Sequence, residues 1–232
     1  MKNFRRLTSV QKNYPVSRRI FHESVSLHYL YNKFMNAITI SRQMGAWGRK
    51  VAEATAELLG YKLVWREVIN QAALRAGVPE VALAAIDEFG FMGIKPREED
   101  LQAYHRAVRQ IMEELVREGR VVIIGRAGQC ILADNPRVFH IRVIAPIEVR
   151  ISRVAEEQKM PPEQARILIE RSDRFRQDYL KRFYHANIDD PTLYDLVLNT
   201  HRIDIRCAAH LIESLVRNHE AESSPGDFHL GL

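Results

Sequence analysis

Two glycines with the spacing of a phosphate-binding turn occur near the start of the chain, in the segment ISRQMGAWGRK (residues 40–50). Gly45 and Gly48 would let the backbone approach an anion closely, because glycine carries no side chain. A helix that begins near Gly48 would direct its free N–H groups and the positive end of its dipole at the same anion. The glycine loop, residues 43–48, therefore predicts a phosphate site, although an ordinary tight turn would also suit this pattern.

The cations around the glycine loop depart from the usual phosphate-binding motif. The pattern G-x-x-x-x-G-K-[ST] needs lysine and then a hydroxyl after its last glycine, whereas Gly48 is followed by Arg49 and Lys50. Arg49 would lie in the first turn of the helix, where its forked guanidinium could hold two phosphate oxygens. We predict that Arg49 replaces the lysine as a catalytic residue, with Arg42 as the competing candidate. The predicted cofactor-binding set is Arg42, Gly45, Ala46, Trp47, Gly48, Arg49 and Lys50.

A second candidate is Arg126, which directly follows the apolar run VVIIG. A strand that ends there would place this arginine at the carboxyl edge of a sheet, on the same rim as the glycine loop. A fixed guanidinium fork at that position suits a phosphate or the edge of a base. The alternative is an ordinary arginine at the start of a helix, facing solvent.

A third cluster of charge, RSDRFRQDYLKRFY, occupies residues 171–184. Its charged members are Arg171, Asp173, Arg174, Arg176, Asp178, Lys181 and Arg182. Pairs at helical spacing, such as Asp178 with Lys181, fit a solvated helix. The other interpretation is a lid whose arginines fold over a triphosphate and neutralise charge during phosphoryl transfer. Under that interpretation we predict that Arg171 and Arg174 act on phosphates as catalytic residues.

Strands and helices alternate along the part of the chain that carries these residues. The predicted strands are AITIS (37–41), KLV (62–64), RVVIIG (120–125), VFHIRVIAP (138–146) and YDLVLNT (194–200). The predicted helices cover 48–59, 66–117 with interruptions near Pro79 and at 89–96, then 147–158, 161–182 and 203–218. Continuous apolar strands between helices predict an α/β three-layer sandwich with a five-stranded parallel sheet.

Composition and charge exclude several classes of protein. With 46% hydrophobic and 27% charged residues the chain is typical of a soluble globular protein, and we expect no membrane association. The net charge of +5 is concentrated in residues 1–34, which sum to +6 and leave −1 for the remainder, so nucleic-acid binding is not expected. Cys130 and Cys207 lack metal-type spacing and fit a reducing cytoplasm.

The basic leader, residues 1–34, lacks the apolar core of a secretory signal and loosely resembles an organelle transit peptide. It also fits a mobile tail, or translated sequence upstream of a start at Met35. We predict a disordered N-terminal extension over 1–34, a single domain over 35–219 and a flexible tail over 220–232.

The order of these features is that of a nucleoside monophosphate kinase, and residues 37–217 resemble the cytidylate kinase-like family. ISRQMGAWGRKVA is similar to the family's first strand and glycine loop, and GRAGQCIL is similar to the Gly-Arg segment that contacts the monophosphate. ERSDRFRQDYLKRFYHANIDDPTLYDLVLNTHRI is similar to its lid and last strand, and is the most specific match.

The resemblance implies a P-loop kinase fold with a helical insert and a helical lid, ATP with Mg²⁺ as the donor, and a pyrimidine monophosphate as the acceptor. We predict that Arg126, Asp173 and Arg66 bind the acceptor; the magnesium ligand is unknown. The chain also departs from the family: no Ser or Thr follows the glycine loop, and Phe175 and Trp65 stand where relatives carry acidic residues.

Three functions fit these observations. The first is transfer of the ATP γ-phosphoryl group to a nucleoside monophosphate, CMP or dCMP. The second is a weakly active or inactive relative that binds a nucleotide as a sensor, because the loop lacks both lysine and hydroxyl. The third is a kinase for another small acceptor. A monomer or weak dimer that binds nucleotides is expected in each case.

Overall fold

The computed structural model describes residues 37–75, 77 and 97–222, without the side chains of residues 66, 67 and 220–222. The strands are β1 (Ala37–Arg42), β2 (Lys62–Val64), β3 (Val121–Ile124), β4 (Val138–Ile144) and β5 (Leu196–Asn199). The helices are α1 (Gly48–Leu59), α2 (Arg66–Arg75), α3 (Glu98–Glu118), α4 (Gly128–Ile131), α5 (Ile147–Gln158), α6 (Pro162–Tyr184) and α7 (Ile205–Glu222). Among the described helices, none is both long and apolar enough to cross a membrane.

The five strands of the described chain form one parallel sheet in the order β2-β3-β1-β4-β5. Strand β1 lies in the centre, between β3 and β4. The chain passes from β1 to the edge strand β2, returns to β3 beside β1, and then adds β4 and β5 on the other side of β1. The carboxyl ends of β1, β3, β4 and β5 therefore meet on one rim, where an open α/β sheet binds its ligands.

The two faces of the sheet bury different sets of side chains because successive residues of a strand point to opposite sides. Ile38 and Ile40 of β1 pack with α1 and α7, through residues such as Val51 and Ile212. Ala37 belongs to the opposite cluster, whose other members include Tyr104 and Met112 of α3 and residues of α2. Helices thus cover both faces, and the predicted three-layer sandwich with a five-stranded parallel sheet is confirmed.

The predicted elements agree with the structure to within a few residues. Helix α1 and strand β2 have the predicted bounds, and α7 continues to Glu222, three residues beyond the predicted domain end. The short α4 after β3 was not predicted, because four residues are too few to show a helical period. The predicted extension (1–34), the predicted interruptions near Pro79 and at 89–96, and most of the predicted tail lie outside the described residues.

A buried histidine on β4 makes stability depend on pH. His140 Nδ1 lies 2.6 Å from Thr39 Oγ1, and burial lowers the pKa of His140 below its ordinary value. His140 therefore binds a proton less readily in the folded protein than in the unfolded chain. Its contribution to the free energy of unfolding is complete above the ordinary histidine pKa and is lost as the pH falls below that value. We expect the free energy of unfolding, measured by urea titration, to decrease as the pH is lowered from about 7.5 to about 5.5, by at most about 1.4 kcal/mol per pH unit for this histidine.

The fall should be smaller in a His140→Asn variant, whatever the absolute stability of that variant. The exposed His201 provides the matched control, since His201→Asn should leave the pH dependence of the parent unchanged. An equal fall in His140→Asn and in the parent would show that another group carries the effect.

Candidate functional site

The glycine loop connects β1 to α1 and lies close to the neighbouring helix α5. Gly45 has φ 78°, and a Cβ at this position would approach the backbone oxygen of Arg150 to 2.8 Å. A Cβ at Gly48 would collide with the side chain of Arg42. Both glycines are therefore required by local geometry, which accounts for the spacing seen in the sequence.

Three carbonyls of the glycine loop are held from outside the loop. Arg150 Nη1 donates to the Met44 oxygen at 3.2 Å, and Arg153 Nη1 lies 3.4 Å from the Gly45 oxygen. The hydroxyl of Thr200 donates to the Ala46 oxygen at 3.0 Å. Two residues of α5 and the residue that follows β5 thus fix the orientation of successive peptide groups in the loop.

Arg42 turns from the end of β1 across the loop toward β3. Its side chain covers Gly48, and its Nη1 would lie 2.9 Å from a Cβ on Gly125. Gly125 follows β3 and has φ 80°, so glycine there both makes the turn and leaves room for the guanidinium. A cation is therefore present at the mouth of the glycine loop, supplied by the strand and not by the helix.

Arg49 and Lys50 point away from that mouth. The side chain of Arg49 is 72% exposed, its Nε lies 3.2 Å from Glu53 Oε1, and its guanidinium lies over the ring of Trp65 at 4.4 Å. Lys50 Nζ lies 3.2 Å from Glu157 Oε1. Arg49 thus pairs within α1 and Lys50 pairs with α5, whereas the Arg42 side chain lies against Gly48 and Gly125. The geometry therefore favours Arg42, the competing candidate, for contact with an anion in the loop.

Arg126 is held almost fully buried at the end of β3. Its Nη2 donates to Asn70 Oδ1 at 2.8 Å, and its guanidinium lies 5.8 Å from the ring centre of Tyr104. The backbone here is left-handed at Arg126 and at Ala127, with φ 53° and 54°. Such non-glycine conformations cost about 1–3 kcal/mol each and persist where surrounding contacts enforce them. Arg126 is therefore not the solvent-facing arginine of the alternative interpretation.

A short ion network connects α6 to α5. Arg150 Nη1 lies 2.6 Å from Asp173 Oδ2, and Arg176 Nη1 lies 3.2 Å from Asp173 Oδ1. Arg150 is 6% exposed and also donates through Nε to the Ala145 oxygen at 3.0 Å. Asp173 is thus bound to two arginines, and Arg150 connects it to the Met44 carbonyl of the glycine loop.

The arginines of α6 divide between two faces of the helix. Arg171 and Arg174, the predicted catalytic pair, are exposed and line an open surface groove. The side chain of Arg176 is 12% exposed and faces the sheet edge. Sequence reasoning did not single out Arg176, yet a signal was available: Ala165, Ile169 and Ser172 are buried at helical spacing, and Arg176 continues the same stripe.

Arg142 of β4 was also missed by the sequence analysis. It is 4% exposed, and it donates through Nη1 to Ser41 Oγ at 2.8 Å and through Nη2 to Asp189 Oδ1 at 3.1 Å. The signal was a lone charge in the middle of the apolar strand VFHIRVI, since buried charges in proteins are paired.

Two small cavities open at this rim, and arginines line both. The first, about 50 Å³, is bounded by residues that include Arg42, Arg126, Arg176 and Tyr179. The second, about 70 Å³, is lined by residues that include Arg42, Arg142, Asp173, Arg176 and Asp189. Arg42 and Arg176 belong to both cavities, and the four arginines outnumber the two aspartates, so the rim beside the glycine loop is a partly buried site of net positive charge that suits phosphate groups.

A free thiol, Cys130, packs with Ala127, Leu180 and Ile188, which line the first cavity. Burial raises the pKa of the Cys130 thiol to about 11, so it stays protonated at neutral pH and is a poor nucleophile. Within residues 37–75, 77 and 97–222, no three His, Cys, Asp or Glu side chains are grouped as metal ligands. Arg66, a predicted acceptor ligand, begins α2, but its side chain lies outside the described residues.

The chain matches the model of the cytidylate kinase-like family over residues 37–202. It belongs to that family. The match covers every described element from β1 to β5, and the resemblance drawn from the glycine loop, the Gly-Arg segment and the α6 region is confirmed. The P-loop kinase type of the fold follows from membership of the cytidylate kinase-like family together with the observed strand order.

Several proteins similar to this chain are archaeal. A cytidylate kinase of Archaeoglobus fulgidus is 29% identical over 182 residues, which are 75% of this chain and 91% of that protein. A cytidylate kinase of Pyrococcus horikoshii is 31% identical over 166 residues, 70% of this chain and 79% of that protein. Among solved structures, an uncharacterized protein from Eubacterium ventriosum ATCC 27560 shares the fold, with a TM-score of 0.61 at 21% identity over 78% of this chain and 98% of its own.

Proposed function

We propose that this chain transfers the γ-phosphoryl group of ATP to a nucleoside monophosphate, CMP or dCMP. The observation that carries the proposal is the convergence of Arg42, Arg126 and Arg176 on one small cavity beside the glycine loop. Phosphoryl transfer needs little covalent help from a protein; it needs two substrates held in line and their charge neutralised. Three guanidinium groups at the carboxyl edge of the sheet suit that task.

The donor would bind at the glycine loop. The N-terminus of α1 offers backbone N–H groups and a positive dipole end, and Arg42 adds a full charge at the mouth of the loop. Arg42 would thus take the part of the lysine that the motif lacks. A guanidinium can hold two phosphate oxygens where an ammonium group acts as a point charge.

The acceptor phosphate would bind to Arg126, which Asn70 and Tyr104 hold in place across the cavity. Arg176 lines both cavities together with Arg42 and would neutralise the transferred group. The names of the archaeal relatives support a cytidine nucleotide as the acceptor. The remaining predicted ligands, Asp173 and Arg66, stay part of the proposal.

Magnesium is implied by the family, and the described residues fit a direct protein site poorly. Asp173 is already bound by Arg150 and Arg176, Asp189 by Arg142, and the hydroxyl of Ser41 accepts from Arg142. Magnesium commonly binds through substrate phosphates and waters. We therefore expect any Mg²⁺ to arrive with ATP, and no step of the proposed reaction depends on a protein ligand to it.

A second candidate is a nucleotide sensor without useful turnover. The observation that favours it is the segment Gly48-Arg49-Lys50, in which the motif lysine and hydroxyl are both replaced. If the arginines bind the ground state of the nucleotide as tightly as the transition state, they raise the affinity for the nucleotide without raising the rate of phosphoryl transfer.

A coupled assay of ADP release separates these functions. The parent should release ADP with ATP, Mg²⁺ and CMP or dCMP, and release much less with UMP, AMP or GMP or with no acceptor. Binding of ATP without ADP release for any acceptor would support the sensor. If the parent neither releases ADP with any of these nucleotides nor binds ATP, both the kinase and the sensor are ruled out. A domain over 35–219, a cytoplasmic location and a monomer or weak dimer remain parts of this proposal.

A further inference from the structure

The contacts behind the glycine loop form a chain of hydrogen bonds that ends on its backbone. Arg153 Nη1 donates to Thr200 Oγ1 at 3.0 Å, and Arg153 Nη2 donates to the Thr200 carbonyl at 2.7 Å. The Thr200 hydroxyl in turn donates a hydrogen bond to the Ala46 carbonyl at 3.0 Å. Thr200 is 1% exposed and its hydrogen bond to the Ala46 carbonyl is buried, so water does not compete with that bond.

The same arginine also contacts Trp47, the residue that precedes α1. The Arg153 guanidinium carbon lies 3.4 Å from the ring centre of Trp47, a stacking distance. Trp47 has φ 58° and makes no side-chain cap to α1. A tryptophan in a left-handed conformation is strained, and the stack on Arg153 offers a reason why it stays there.

The direction of the carbonyls determines the direction of the N–H groups. In a trans peptide the C=O and the following N–H point to opposite sides. The Met44, Gly45 and Ala46 carbonyls face α5 and Thr200. The N–H groups of Gly45 and Trp47 therefore face the other way, whereas the N–H of Ala46 donates within the turn to the Gln43 carbonyl at 3.3 Å. N–H groups that a turn leaves on one side, next to the start of a helix, form an anion-binding concavity.

We propose that Arg153 and Thr200 are positioning residues that turn the glycine-loop N–H groups toward the donor phosphates. The inference rests on the proposed function, because it assigns the donor to this loop. It accounts for a loop that lacks the usual lysine: the loop is shaped by hydrogen bonds from behind, and Arg42 provides the charge in front.

The decisive variant is Thr200→Val, which keeps the shape of the side chain and removes the hydroxyl. Thr200→Ser restores the hydroxyl and should rescue the effect. Thr55→Val is the matched control, because Thr55 is equally buried and its hydroxyl donates to the Val51 carbonyl within α1, away from the loop. Arg153→Met, which keeps the apolar stem and removes the fork, provides a second test should Thr200→Val fold poorly.

Two measurements are needed, and only the second requires activity. In a Trp65→Phe background Trp47 is the sole tryptophan, and its quenching by acrylamide reports how firmly the loop is held. Thr200→Val and Arg153→Met should raise the quenching constant, while Thr200→Ser and Thr55→Val should not. In the coupled assay Thr200→Val should raise the KM for ATP about tenfold, with the KM for the acceptor unchanged.

Equal quenching in Thr200→Val and Thr55→Val would overturn the positioning role, whether or not the protein is active. A raised quenching constant together with an unchanged KM for ATP in an active enzyme would also overturn it. Absence of any phosphoryl transfer in the parent would instead remove the proposed function, and the quenching comparison would still decide whether Thr200 and Arg153 hold the loop.

Discussion

Arg42→Ala is expected to lower turnover by roughly 10²–10³-fold, the loss typical of removing one preorganised donor to a developing charge. Arg49→Ala should stay close to the parent. The reason is the direction of the two side chains: Arg42 crosses the glycine loop to Gly125 and lines both cavities, whereas Arg49 is exposed and pairs with Glu53. The measurement is ADP release with ATP, Mg²⁺ and CMP.

Arg42→Lys tests whether charge alone is sufficient. Lysine keeps the positive charge and loses the planar fork, so partial activity is expected, between the parent and Arg42→Ala. Because the Arg42 side chain also packs over Gly48, thermal unfolding of each variant should be followed in parallel. The opposite outcome, an inactive Arg49→Ala with an active Arg42→Ala, would restore the sequence hypothesis that Arg49 replaces the motif lysine.

The fold could be predicted from the sequence because its signals are local. The apolar runs of β1, β3 and β4 alternate with segments of helical period, and Gly60 ends α1 in the left-handed conformation that favours glycine. Alternation of buried strands and helices leaves few architectures other than a parallel sheet covered on both faces.

The site was harder to predict because it depends on which side chains meet across the sheet. Arg126 was identified from its position after a strand, which is a local signal. Arg142 and Arg150 were not, because their partners Asp189 and Asp173 are 47 and 23 residues away in the chain. No spacing rule connects such distant residues; the pairs form only when β4, α5 and α6 are in place.

Arg176 illustrates a different difficulty, that of helical phase. Under the lid interpretation the sequence predicted that Arg171 and Arg174 act on phosphates, but a list of arginines does not tell which face packs inward. The buried stripe of Ala165, Ile169 and Ser172 selects Arg176 and leaves Arg171 and Arg174 on the exposed side. Whether that pair contacts phosphate remains a prediction that the following experiment addresses.

Arg176→Ala is expected to lower turnover by roughly 10²-fold or more, since Arg176 lines both cavities together with Arg42 and lies where a transferred group would carry charge. The change in melting temperature should be small. Asp173 keeps its contact with Arg150 at 2.6 Å, so the substitution does not leave an unpaired carboxylate in a partly buried position. A large loss of rate with little loss of stability is the signature of a group that acts on substrate.

Arg174→Ala is the matched control, because Arg174 is an arginine of the same helix that is exposed and lies on the outer face. It should keep most of the parent activity, as should Arg171→Ala, if α6 acts in the orientation seen here. Activity should be measured at saturating ATP and CMP, so that a change in kcat is separated from a change in KM. If Arg171→Ala or Arg174→Ala loses more activity than Arg176→Ala, α6 must turn its outer face inward during turnover, and the predicted catalytic pair, not Arg176, neutralises the transferred phosphoryl group.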